Sequence, residues 1–195
     1  MSTPAAPAQP FRLRNLTLSV YLPTIIFSIG QGAVIPIIPL FAIELGASPA
    51  TAGLIVAMRG IGQLIFDVPA GITVSKFGDR FAMIAGTALV GLVAIGASFS
   101  SSPYILAGLT LLMGGGWAYW QIARLSYITE VTPPNLRGRA MSMTGGMNRV
   151  GNFIGPVGGG GLAAVFGLEA AFIAQAVLGV LAAIVMFTVV KASED

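Results

Sequence analysis

The sequence predicts an all-α membrane protein built from six transmembrane helices. Three observations carry that expectation. Apolar runs follow one another along almost the whole chain, each meeting the ~20 residues an α-helix needs to cross the hydrocarbon core. Charge is scarce: 10 basic and 7 acidic residues among 195, with a mean hydropathy of +0.88. A soluble domain of this size needs more charge on its surface. Finally, lysine and arginine fall in alternate connections between the runs, as loops on one side of a membrane do.

Residues 1–15 are rich in Ala and Pro and predict a disordered cytoplasmic segment. The first run, residues 16–40, follows Arg12 and Arg14 and is too long for the apolar region of a signal peptide. It predicts a spanning helix bent near Pro36 and Pro39. Five further runs cover residues 51–74, 81–99, 104–128, 141–166 and 170–190. The six-helix domain is expected over residues 16–190, with a cytoplasmic tail at 191–195. Lys76 and Arg80 lie between the second and third runs, Arg137 and Arg139 between the fourth and fifth, and Lys191 after the sixth. The other three connections hold no lysine or arginine, which predicts both termini in the cytoplasm. Three helices followed by three in the opposite orientation are consistent with an inverted 3+3 repeat.

Composition excludes several functions. The chain has no Cys and no His, so it offers no disulfide framework, no thiolate metal site and no imidazole base. No nucleophile–base arrangement or phosphate loop is visible, and an enzyme, a resident cofactor and a bound metal are not expected. The basic residues are scattered between apolar runs instead of gathered on a polar face, so membrane topology accounts for them better than nucleic acid does.

The informative residues are the ionisable ones inside apolar runs, because a charge at mid-membrane costs at least ~2.5–3.5 kcal/mol. Arg59 and Asp67 share the second run, about 12 Å apart on a similar face, with Gln63 between them. Arg124 and Arg149 lie in the inner thirds of the fourth and fifth runs, and Glu130 closes the fourth. One reading is a polar cavity in which Arg59 and Gln63 meet a solute while Asp67 joins a charge network with Arg124 or Arg149. The other is that Arg124, Glu130 and Arg149 snorkel to the cytoplasmic interface. Gln31, flanked by Gly30 and Gly32, is a further polar patch. Trp117, Tyr119 and Trp120 sit inside the fourth run; Trp117 and Trp120 are candidate walls for a flat apolar or cationic ligand, with plain packing as the alternative.

In the fifth run, Gly151, Gly155 and Gly159 recur every four residues, so they share one helix face where a neighbouring backbone can come close. Pro156 removes a backbone donor beside them and predicts a bend near residues 153–156. Gly151, Gly155, Pro156, Gly158 and Gly159 form a glycine-rich run around a proline that resembles the antiporter motif of the major facilitator superfamily. The segment from Gly32 to Pro39 resembles that family's first-helix motif. After the second run, Gly71, Lys76, Gly78 and Arg80 match its cytoplasmic loop pattern, whereas Ser75 replaces the expected acid and Asp79 stands where a basic residue is expected. The basic residue expected early in the fourth helix is absent.

The resemblance is to the amino-terminal six-helix half of a drug or metabolite antiporter and extends over residues 16–190. It implies a secondary transporter, half-size or a fragment, moving a small amphipathic solute by alternating access in the inner or plasma membrane; proton-coupled efflux is compatible with it. Ser75 and Asp79 place the usual cytoplasmic latch in doubt. The alternative is a non-transporting half or a membrane interaction subunit. Family members have two such halves around a midplane site, so a second six-helix half, for example a second copy in a parallel homodimer, is the expected partner beside the solute and the bilayer.

Overall fold

The structure is a computed structural model that describes residues 16–191; residues 1–15 and 192–195, which hold the expected disordered segment and most of the expected tail, lie outside the described residues. It is all-helical, with no strand among the described residues. A π-helical turn, Thr17–Tyr21, leads into α1 (Leu22–Val34), α2 (Ile37–Glu44), α3 (Pro49–Ser98), α4 (Pro103–Val131), α5 (Arg137–Phe166) and α6 (Glu169–Lys191). The stretches Leu22–Glu44, Pro49–Ser98 and Glu169–Phe187 are long and apolar enough to cross a membrane.

The chain breaks where backbone chemistry demands it. Pro36 separates α1 from α2, as its missing N–H and its ring require. Ser48 caps α3 by accepting a hydrogen bond from the Thr51 N–H at 3.2 Å, with Pro49 in the first turn. Ser102 and Pro103 open α4 in the same way. The connection expected between the second and third runs is not an open loop. Helical backbone runs through it and is interrupted at Gly78 alone, where φ is 83° and ψ 164°. A side chain would strain that conformation, so one glycine divides α3 into two rods. Arg137 and Arg139, expected in a loop, belong to the first turn of α5, because helical backbone begins four residues before the apolar run. Helical backbone continues through Pro156.

Packing follows small residues. The rods of α3 grip α4 through Gly114, Gly115 and Gly116. Gly114 lies against the Arg59 carbonyl of the first rod, Gly115 under the Phe66 ring, and Gly116 against Gly86 and Val90 of the second rod. α5 packs on α1: Gly151 meets Ser28, Gly155 meets Gly32 and Ala33, and Gly159 meets Ala33. α6 packs beside α1 and α3, and its Phe172 lies against Phe41 of α2 at 5.5 Å between ring centroids. Four buried threonine hydroxyls are satisfied locally: Thr24, Thr87, Thr110 and Thr144 each donate to the carbonyl four residues back. No neighbouring helix has to supply those partners.

Other faces are left uncovered. On the first rod of α3, Leu64 and Val68 are 74% and 70% exposed; on α5, Phe153 and Val157 are 80% and 75% exposed. Gly158, Gly160 and Gly161 have nothing within 4 Å of where a side chain would begin. Within the glycine-rich segment, then, Gly151, Gly155 and Gly159 are packing positions and Gly158 is not.

This asymmetry predicts the outcome of a one-carbon change. A methyl group at Gly155 would lie 2.7 Å from Ala33 N, and one at Gly159 2.6 Å from Ala33 Cα. Backbone atoms cannot rotate away, so overpacking should cost about 1–3 kcal/mol. Gly155→Ala should lower the melting temperature of the purified protein in detergent, whereas Gly158→Ala should not. Equal melting of both variants would show that α1 and α5 are not packed in this way.

Candidate functional site

α1, α2, α3, α4 and α5 converge on a cavity of about 290 Å³. Ile35, Ile38 and Val56 form its apolar wall; Arg59, Gln63, Trp117 and Asn152 supply its polar and aromatic groups. The site's arginine is held from two sides. Its Nη2 donates to the Gln31 Oε1 on α1, and its guanidinium carbon lies 5.5 Å from the centre of the Trp117 ring on α4. A cation over an indole face gains about 2 kcal/mol or more once desolvated. The close contact of Gly114 with the Arg59 carbonyl brings the tryptophan three residues further along α4 within that reach.

Behind Trp117 stands an aromatic stack. Phe27 lies parallel to Trp117 at 5.9 Å and against Trp120 at 4.6 Å; the two tryptophans are 5.2 Å apart. Trp120 and Phe27 are completely buried. Arg124 closes the stack, its guanidinium 4.1 Å from the centre of a Trp120 ring. It is 9% exposed, and its Nη1 is enclosed without a hydrogen-bond partner, as is the Trp120 Nε1. On the other side of the cavity, the Ser28 hydroxyl and the Asn148 Oδ1 are 2.7 Å apart, and Asn152 Nδ2 donates to the same oxygen at 2.8 Å. Gln175 of α6, 1% exposed, leaves both amide atoms unpartnered beside Gly30.

The structure brings Gln31, Arg59, Gln63 and Trp117 together. It separates the rest. Trp120 packs behind Trp117 and does not line the cavity, because Phe27 and the second rod of α3 cover it. Among the described residues, Asp67 forms no ion pair with Arg124 or Arg149, and Arg149 is exposed on α5. Gly71 is in the first rod of α3 with nothing within 4 Å of a would-be side chain, and Lys76 is exposed two residues before Gly78. Arg80 reaches α6 instead, donating to the Phe187 carbonyl at 3.2 Å and lying over its ring. Sequence reasoning passed over Phe27, Ser28, Asn148 and Asn152. The last two, four residues apart among small and apolar neighbours, carried a signal: two amides on one face of a membrane helix are costly unless they meet a partner or a cavity.

At the end of α4 that holds Glu130, Asp79 of the break between the α3 rods faces Ser126 and Glu130. Burial raises the Asp79 carboxyl above its ordinary value; the Ser126 hydroxyl opposes this, and the Glu130 carboxyl adds to it. A folded carboxyl with a raised pKa holds its proton more tightly than the unfolded chain does. Its contribution therefore becomes unfavourable as pH rises through the titration and recovers on acidification. Asp79→Asn should raise the melting temperature at neutral pH and flatten its fall between mildly acidic and neutral pH. A melting profile that keeps its slope would show that Asp79 has an ordinary, solvated carboxyl.

A sequence profile described as the Major Facilitator Superfamily matches residues 20–195. Curated relatives include an uncharacterized MFS-type transporter of Methanocaldococcus jannaschii, 26% identical over 90% of this chain and 46% of the relative. Multidrug resistance protein 2 of Bacillus subtilis is 29% identical over 85% of this chain and 41% of the relative. Multidrug resistance protein MdtG of Dickeya zeae is 28% identical over 83% and 41%. The chain spans less than half the length of these relatives.

Proposed function

The chain belongs to the major facilitator superfamily, and on that premise we propose that it forms one half of a secondary transporter whose solute binds at Arg59. Members of this family are membrane transporters and not enzymes. The observation that carries the reading is the cavity itself: a guanidinium and an amide of α3, an indole face of α4 and an amide of α5 gathered in an otherwise apolar bundle. Retaining a charge there is costly without a task or a partner, and a small polar patch in an apolar wall is how solute sites are built.

In this reading the chain crosses the membrane six times, with both termini in the cytoplasm and two inverted three-helix units. The break at Gly78 turns the chain between the second and third crossings, and the break at Pro36 lies within the first. A second six-helix half covers the exposed faces of α3 and α5; in a parallel homodimer a second copy supplies it. The solute is small and amphipathic, and the names of the multidrug resistance relatives make efflux the direction to test first. The glycine contact between α1 and α5 is the seam along which the site opens to either side, and Asp67 is the candidate for proton coupling. A non-transporting half, or a membrane interaction subunit, is the second reading.

Transport separates the two. Arg59→Ala should lower efflux of a multidrug substrate from cells to the level of empty vector while leaving the amount of protein in the membrane unchanged. Unaltered efflux would remove Arg59 from the site; no efflux by the parent chain would favour the non-transporting half. The chain contains no Cys, so single cysteines report topology cleanly. An external maleimide should label Ser48→Cys and Ser101→Cys but not Ser75→Cys, and the reverse pattern would overturn the orientation.

A further inference from the structure

We propose that the solute of this cavity is an amphipathic organic anion, with its anionic group on Arg59 and its apolar body against Trp117. The proposal rests on the site assigned above and adds the sign of its charge. It starts from a mismatch. Arg59 is half-buried at the cavity and Arg124 is buried within the helical bundle, yet among the described residues neither forms an ion pair with a carboxylate. A buried cation is ordinarily paired or fully hydrogen-bonded. Arg59 has one neutral amide acceptor, the Gln31 Oε1, and Arg124 has an enclosed Nη1 with none.

The described carboxylates are placed elsewhere. Glu44 ends α2 and Glu169 begins α6, while Asp79 and Glu130 face each other at the far end of α4. Asp67 is two turns along α3 from Arg59, about 12 Å away, and does not line the cavity. The positive charge at the site is therefore not cancelled locally.

The surrounding chemistry selects for shape as well as sign. A planar guanidinium presents several N–H donors in a fork that fits a carboxylate, sulfonate or phosphonate. One Nη of Arg59 is engaged by Gln31, which leaves other donors of the fork for such a group. Ile35, Ile38 and Val56 close the apolar side, while the Asn152 amide, whose Nδ2 donates to Asn148, leaves Arg59 as the donor for an anion. The second cation stands at the opposite end of the Trp117–Phe27–Trp120 stack, out of contact with the cavity. Across a low-dielectric aromatic wall its field adds to that of Arg59 and disfavours a cation in the cavity. A lipophilic ammonium would have to displace or repel a half-buried guanidinium; an anion would neutralise one.

The chain reports on this site directly, because its two tryptophans, Trp117 and Trp120, both lie in the stack. The probes are three nitrobenzenes of one shape, which quench tryptophan on contact: 4-nitrobenzoate, 4-nitrobenzyl alcohol and 4-nitrobenzylammonium. With the full chain in nanodiscs of neutral lipid, 4-nitrobenzoate should quench saturably and at least tenfold more tightly than 4-nitrobenzylammonium. Arg59→Gln should weaken 4-nitrobenzoate at least tenfold and change 4-nitrobenzyl alcohol less than twofold, whereas Arg59→Lys should keep the preference for the anion. Equal affinities, a preference for the ammonium, or a preference for the anion that survives Arg59→Gln would overturn the charge assignment while leaving the solute site standing. Quenching that never saturates for any of the three would remove the site itself, and the proposal with it.

Discussion

The arrangement depends on backbones approaching one another more closely than side chains permit. In a bilayer no hydrophobic gain comes from pressing two apolar helices together, so close packing and polar contacts must hold the bundle. Here the approach is made twice. Gly114 to Gly116 seat α4 in the angle between the α3 rods, and Gly151, Gly155 and Gly159 seat α5 on α1. Each seat also aims chemistry. The first puts Trp117 within reach of Arg59, and the second brings Asn148 and Asn152 to the side of α1 that carries Ser28 and Gln31. Neither polar group could be placed as closely by helices held apart by leucines.

The second constraint is the cost of a buried charge. Arg59 and Arg124 are each laid on a tryptophan, and the two tryptophans touch each other and Phe27. The aromatic stack is a partial substitute for counter-ions: ring faces attract a guanidinium without adding a second charge to be desolvated. A full carboxylate partner would neutralise Arg59 and leave it little use for a solute. A cation softened by π faces and one amide keeps its charge while remaining tolerable within the bundle.

The cytoplasmic side expected from the sequence shows a different economy. Where the family resemblance leads one to expect a basic residue, Asp79 faces Glu130, and Arg80 reaches the carbonyl and ring of Phe187 on α6. The break at Gly78 is thereby tied to α4 by carboxyls and a hydroxyl and to α6 by a cation, all within this chain. The exposed apolar faces of α3 and α5 are of another kind. They carry no polar network of their own and suit lipid or a second helical half.

The sequence by itself determined the class of this protein: a helical membrane chain whose first run is interrupted at Pro36. It also singled out Gln31, Arg59, Gln63 and Trp117, since a polar or charged residue in an apolar run is expensive wherever that run ends up. Periodicity showed that Gly151, Gly155 and Gly159 share a face, because spacing of four is a property of one helix. What lay beyond the sequence were relations between helices. The same residue pattern cannot say that Gly158 is open while Gly159 is packed, that Trp120 backs the cavity and does not line it, or that Asn148 meets Ser28. It could not separate a charge network around Asp67 from solitary arginines on tryptophan faces, because which side chains meet depends on the rotation and depth of each helix against its neighbours. Those are decided by packing, and packing is a property of the assembled bundle.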